Sequence, residues 1–398
     1  MPLTPSFGDK IAAKIVAIYA AGEEQLYRFL AKSLQVERGS GANWAARMII
    51  KVGPVRVGVQ RILDRLHGES RVMVTEAIRQ AWENGRNAAL DDIPDERVPV
   101  FNVDGASARA AEELNQRLVE TRPRAAESAT SIYRQVIEDV TRDQSITSEA
   151  SRKRLVQRAL DRFARDGITS FIDQRGRNYD LVSYTEMAVR AAVSEGEINA
   201  YMQQLVAAGI DLVVISDVPQ ACAVCEPYES RILSITGATR AAIWVDPETG
   251  RTRSVPVYAT LAEARAAGLW HLNCRHVAKG WTPDSPLPPP ADPPDPEGYR
   301  ATQRLRALER RVRREKRVLA AAMSPEAETV ARRRIRGVQA RIRDHIARTG
   351  VQRRRDREQL HRGYESTPDA RALNAEKRTR QRKTVDELVE EIRSERGQ

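Results

Sequence analysis

A chain of 398 residues, 41% apolar and 30% charged, is long enough for two or more packed units and leaves much solvated surface. An aromatic share of only 5% favours long helices with Ala, Leu and Val seams over a rich β core, and no run approaches the roughly 18 uninterrupted apolar residues of a membrane span. The net charge of +11 is local: residues 300–362 hold 21 basic and 7 acidic side chains, so the chain ahead of them is near neutral or mildly acidic.

At the N-terminus, Asp9, Lys10 and Lys14 interrupt Met1–Ala21, where a secretory signal would need a cationic start and an unbroken apolar core, so none is expected. Ile11, Ile15, Ile18, Leu26, Phe29 and Leu30 recur at helical spacing between Ser6 and about Leu34. After a turn at Gly39–Asn43, Ala45–Leu66 predicts a second helical run, broken or kinked near Gly53-Pro54, and Val72–Ala89 a third. A loop is expected at Asp91–Val103. Ser107–Asp143 reads as two helices separated by Arg122-Pro123, and Ser148–Arg165 as one more.

The character changes near Gly209. Leu212–Ile215 and Arg231–Ile235 are short β-type runs, and Ala242–Val245 and Val255–Tyr258 flank Asp246-Pro247-Glu248-Thr249-Gly250, a hairpin turn signal. Thr260–Ala267 predicts a brief helix. Asp284–Gly298 holds seven prolines, which favours extended polyproline geometry and a semi-rigid spacer. Beyond it, Leu305, Leu308, Val312 and Leu319 form a heptad seam on a charged helix. Ser324-Pro325 starts a partner helix, whose seam is Ile335, Val338, Ile342 and His345 or Ile346. Thr367-Pro368 signals another helix. Thr384-Val385-Asp386-Glu387 has a capping-box pattern ahead of a short tail with Leu388 and Ile392 on one face.

The expected fold is therefore mainly α. A long helical N-terminal region (1–208) leads to a small β-rich module (209–283) with a candidate zinc knuckle. A Pro-rich linker (284–298), a C-terminal basic helical hairpin (299–365) and a helical tail (366–398) complete the chain.

The chemistry concentrates in the β-rich module. All three cysteines, Cys222, Cys225 and Cys274, lie there with two of the five histidines, His271 and His276. Cys222-Ala-Val-Cys225 places two thiolates on one tight turn, and His271-x-x-Cys274-x-His276 offers three more ligands about 45 residues later. An odd count that includes a close pair fits a reduced compartment and a metal site better than a disulfide framework. Cys222, Cys225, Cys274 and one histidine, His276 in preference to His271, would close a tetrahedral structural Zn²⁺ site. The bland alternative is a set of reduced core cysteines with histidines satisfied by hydrogen bonds. A redox C-x-x-C lacks its thioredoxin-like context.

Enzyme signatures are missing. There is no H-E-x-x-H, G-x-S-x-G or G-x-x-x-x-G-K-[ST]. No histidine stands between His67 and Cys222, as the H-x-E of a zinc deaminase would require. The chain is thus not expected to be an enzyme.

Gly268-Leu269-Trp270-His271-Leu272-Asn273-Cys274-Arg275-His276, then Gly298-Tyr299-Arg300 and the Leu308-Glu309-Arg310-Arg311-Val312-Arg313-Arg314-Glu315-Lys316 core, resemble phage minor capsid protein 2, a family related to Mu F-type minor head proteins. Tyr184, Met187 and Arg190 are similar to that family's Tyr-x-x-Met-x-x-Arg helix, and Ile215-Ser216-Asp217, the Cys225 knuckle and Leu233-Ser234 follow in its order. The resemblance covers about residues 175–365. It differs at Leu272, where such proteins often have Pro, at Ala191, where Thr is usual, and at Glu226–Ser230, which lacks their Gln-Gly.

The resemblance implies a structural protein of the virion, held inside the capsid near the portal vertex and assembled in the host cytoplasm. Its implied roles are head assembly, genome packaging or DNA delivery. The portal protein is the expected partner, with the major capsid or scaffold protein as further candidates and no membrane. The basic hairpin suits sequence-independent contact with double-stranded phage DNA, through Arg304, Arg310, Arg313, Arg314, Arg317, Arg333, Arg334 and Arg341. Arginine outnumbers lysine about sixfold, and guanidinium forks hold phosphate in two-pronged contacts. The bland reading of the same residues is a solvated, salt-bridged hairpin. The alternative function is a phage-encoded metal-dependent nuclease or DNA-processing factor.

Overall fold

A computed structural model of the chain describes residues 3, 5–37, 41–93, 98–142, 148–166, 171–172, 178–179, 181–246, 248–271, 274–360 and 383–394. Helices hold 69% of it and strands 7%, so the protein is mainly helical with a small sheet region, as composition and periodicity predict. The order is α1 (Pro5–Ser33), α2 (Gly41–Ile50), α3 (Val52–Asp92), α4 (Asp104–Arg142), α5 (Glu149–Asp166), β1 (Phe171–Ile172), β2 (Asn178–Tyr179) and α6 (Leu181–Ala207). Then come β3 (Leu212–Ile215), β4 (Ile232–Ser234), β5 (Ala241–Val245), β6 (Thr252–Pro256), β7 (Ala259–Thr260), α7 (Leu261–Ala266) and β8 (Ala278–Trp281). α8 (Pro296–Ala320), α9 (Pro325–Thr349) and α10 (383–394) close the described chain. No helix among the described residues is long and apolar enough to cross a membrane.

Two expected breaks, at Arg122-Pro123 and between Leu66 and Val72, are absent, and a third is displaced by two residues. Ser107–Asp143 is one helix, α4, with Pro123 inside it. Buried Leu118, Ala125, Ala129, Ile132, Val136 and Val140 continue one stripe across the proline, and that burial outweighs the roughly 3 kcal/mol an interior proline costs. The break expected at Gly53-Pro54 falls at Lys51 instead, which leaves Pro54 in the first turn of α3, where its missing N–H costs nothing. α3 then runs unbroken to Asp92, through the interval left between Leu66 and Val72. Gly41–Asn43, read as a turn, begins α2. Thr384, read as an N-cap, lies inside α10. The Thr367-Pro368 signal lies outside the described residues.

The chain divides into two compact units. The first comprises Met1–Ala12, Met73–Asn115 and Met187–Gln303. Its four-stranded sheet has the order β7-β4-β3-β8, with β3 antiparallel to β4 and β8, and β4 parallel to β7. Alternation along β3 divides the core. Val213 and Ile215 join Leu233, Ala278 and the Ile198, Tyr201, Met202 and Leu205 stripe of α6. Leu212 joins Ile232, Ala242 and Trp281 on the other face, with Trp244 and Val255 of the β5–β6 hairpin packed against them. α6 ends on Gly209 (φ +78°), where Gly209 N–H to Val206 O and Ile210 N–H to Leu205 O complete a Schellman motif that delivers the chain into β3. Thr260 and Glu263 cap α7 reciprocally. The outer edge of β8, missed in the sequence, is closed by Tyr201, whose hydroxyl accepts from Gly280 N–H (2.7 Å) and donates to Asp92 (2.5 Å).

The Pro-rich segment is fastened to this unit. The indole N–H groups of Trp244 and Trp281 donate to Ser285 O and Pro286 O, at 2.9 and 3.1 Å, and Leu287 packs against the hairpin side of the sheet. Asp292 N–H reaches Asp217 at 2.7 Å.

The second unit comprises Ala13–Val72, Gln116–Glu186 and Arg304–Gln398. Trp44 and Tyr27 are fully buried in it, with the Arg152 guanidinium 4.9 Å above the Trp44 ring. α10 buries Val385, Leu388, Val389 and Ile392, and Lys51 donates to its Ile392 O at 2.6 Å. Ser324 caps α9 by accepting from Ala327 N–H, and Gly350 (φ +69°) ends it.

Candidate metal centre

The two ligand clusters arise from two tight turns. Cys225 and Glu226 both donate their N–H to Cys222 O, each at 3.0 Å, so the C-x-x-C segment closes into one turn and continues into the short 3₁₀ helix Glu226–Tyr228. On the opposite side, Cys274 N–H donates to His271 O at 2.9 Å. Gly268 (φ +108°) lies directly before, and a Cβ there would stand 2.8 Å from Val224, so the two turns meet closely only because that residue is glycine.

All five expected ligands converge. Cys222 Sγ lies 3.0 Å from His271 Nε2, Cys225 Sγ 3.6 Å from Cys274 Sγ, and Cys274 Sγ 3.2 Å from His276 Nδ1. They form two triads that share Cys225, namely Cys222–Cys225–His271 and Cys225–Cys274–His276, each with its ligand atoms within 4.8 Å of one another. A tetrahedral ion with bonds of about 2.3 Å to sulfur and 2.0 Å to nitrogen has S···S edges of about 3.8 Å and S···N edges of about 3.5 Å. Each triad therefore approximates one face of such an ion, and these residues could hold a metal.

The environment favours the thiolate at Cys274 and Cys222 but the thiol at Cys225. Cys274 is held down to about 4 by the hydrogen bond from Cys225, against burial and with help from His276. Cys225 is pushed up by the same Cys274 partner and by burial. Burial opposes ionisation of Cys222, but backbone N–H groups and His271 outweigh it and lower its pKa. For His276, burial is likewise outweighed, by Cys274 and Glu229, so the ring's pKa is raised. Glu229 was not singled out in the sequence. It is 4% exposed and accepts from His276 Nε2 at 2.7 Å and from Val218 N–H at 2.9 Å.

The eight expected DNA-contacting arginines divide by environment. Arg304, Arg310, Arg314, Arg333 and Arg341 are exposed. Arg334 is exposed and paired at 3.9 Å with Asp161. Arg313 is half-buried and donates to Arg357 O at 2.6 Å. Arg317 is a correction: it is only 6% exposed, donates to Ala164 O at 3.2 Å and lies 3.7 Å from buried Glu23, so it is committed to the core of its unit.

The model of the family described as phage minor capsid protein 2 matches residues 3–347. No curated protein and no solved structure matches the chain.

Proposed function

The chain belongs to the phage minor capsid protein 2 family, and from that premise we propose that this virion protein sits inside the capsid near the portal and contacts packaged DNA. The observation that carries the reading is the extent of the family match, which takes in the helical region, the Cys/His module and both basic helices. The exposed arginines of α8 and α9 support the DNA contact. Fixed on packed helices, they present guanidinium groups to phosphate without base readout, which suits a genome of any sequence.

The metal we assign to the cysteine-rich cluster is zinc. Three thiolates and an imidazole are a donor set that zinc prefers, and four protein ligands leave no open position for chemistry. Bound there, zinc would supply cohesion to a module whose sheet has strands of two to four residues.

The reading is tested by assembling heads with the full chain and its portal and asking whether the two copurify. A parallel assay with supercoiled plasmid and added divalent metal should give no cleavage. Cleavage that disappears in Cys274→Ser would overturn the structural reading in favour of a metal-dependent nuclease. Heads that assemble, package and infect without the protein would overturn the assembly and delivery role.

A further inference from the structure

The five ligands form two triads that share Cys225, and the side chains behind His276 fix how it is presented. His271 is exposed, and its Nε2 lies toward Cys222. His276 is different. Its side chain and that of Glu229 are each 3% exposed, and the ring is gripped at both nitrogens: Nε2 2.7 Å from Glu229 Oε1 and Nδ1 3.2 Å from Cys274 Sγ.

Glu229 is itself fixed. Its backbone N–H donates to Glu226 O at 3.1 Å, closing the 3₁₀ turn that follows Cys225, and its Oε1 also takes Val218 N–H. The next residue, Ser230, has φ +55° and donates its N–H to Ile215 O at 3.0 Å, which ties the turn to β3. The carboxylate is therefore aimed by the same turn that carries Cys222 and Cys225.

We infer that Glu229 is a positioning residue that holds Nε2–H of His276 and so presents Nδ1 to a metal shared with Cys225 and Cys274. A carboxylate accepts but cannot donate when ionised, so Nε2 must carry the proton and Nδ1 is left with its lone pair toward the thiolates. The inference rests on the metal reading above. A carboxylate behind a ligating imidazole also makes the ring a stronger donor, and removal of such a partner typically weakens metal affinity about 10–100-fold.

The test uses the full-length protein, labelled with ¹⁵N-histidine and loaded with Zn²⁺, or with Co²⁺ for its thiolate charge-transfer bands. Affinity is read by competition with a chromophoric chelator, and long-range ¹H–¹⁵N correlations report which ring nitrogen is bound. The expected results are a metal-bound Nδ1 and protonated Nε2 on His276, with affinity lost in His276→Ala. Glu229→Ala should weaken binding about 10–100-fold, while Glu229→Gln, whose amide oxygen still accepts Nε2–H, should stay within about threefold of the parent. Should Glu229→Ala fail to fold, the nitrogen assignment and the Gln variant carry the test. Failure of the parent protein to take up metal would overturn both the metal reading and this one. Tight binding by the parent with Nε2 of His276 bound, or with His276→Ala or Glu229→Ala unaffected, would overturn this inference alone.

Discussion

Glu197 is a buried carboxyl on α6, 5% exposed, and burial pushes its pKa up to about 8 although Asn84 donates to it at 2.6 Å. An unfolded chain would release that proton near 4.5. Between those two values the folded state holds a proton that the unfolded state does not, so this residue's effect on stability is most favourable below about pH 4.5 and declines to about pH 8. Glu197→Gln keeps an acceptor for Asn84 and removes the cost of burying a charge. It is expected to raise stability at pH 8 by on the order of 4 kcal/mol and to do nearly nothing at pH 4.5. Thermal melts of both proteins across that range check it, and a difference that does not vary with pH would sink it. Glu229 in the metal cluster takes its role from a partner distant in the chain. It stands 47 residues from His276 in the chain, so no local spacing could have exposed their pairing.

At the scale of elements, α3 and α6 approach closely where glycine stands on both. A Cβ on Gly85 would lie 2.0 Å from Glu197 O, and one on Gly196 2.8 Å from Trp82 Nε1. The obstacle at Gly85 is backbone, which cannot swing aside, so Gly85→Ala should cost about 3 kcal/mol in urea denaturation. A variant as stable as the parent would show that the helices can separate there without penalty. In the sequence these glycines look like helix weakeners, because a crossing between segments distant in the chain leaves no periodic signal. The same limit explains the other misses. Pro123 and the Leu66–Val72 interval were read locally, whereas long buried stripes decided both; the heptad on α8 revealed one buried side but not the cover that Ala164 and Glu23 give Arg317. What was legible had a strong local cause. The β5–β6 turn, the Thr260 and Ser324 caps and the two Cys/His clusters each follow from a few adjacent residues.

For the whole molecule, the two compact units draw cohesion from different sources. The first has a sheet of very short strands beside the Cys/His cluster, the second long helices with continuous apolar stripes. Removal of metal should therefore act unevenly. Hydrogen exchange after chelation is expected to speed up at least about tenfold at β3, β4 and β8 while α5 and α9 keep their protection. Uniform exchange before and after would mean that no structural metal supports the module. The basic helices give a complementary division. Each phosphate neutralised contributes about −0.9 to the slope of log affinity against log salt, so Gln at Arg310, Arg314 and Arg333 together should flatten the slope by nearly three and weaken all duplex sequences alike. Arg317→Gln should leave that slope unchanged yet lower the melting temperature, because Glu23, 2% exposed, would lose its cationic neighbour, a change that typically costs about 3–5 kcal/mol. If the exposed set leaves the slope untouched, the arginines are a solvated, self-paired surface, and DNA is held elsewhere or not at all.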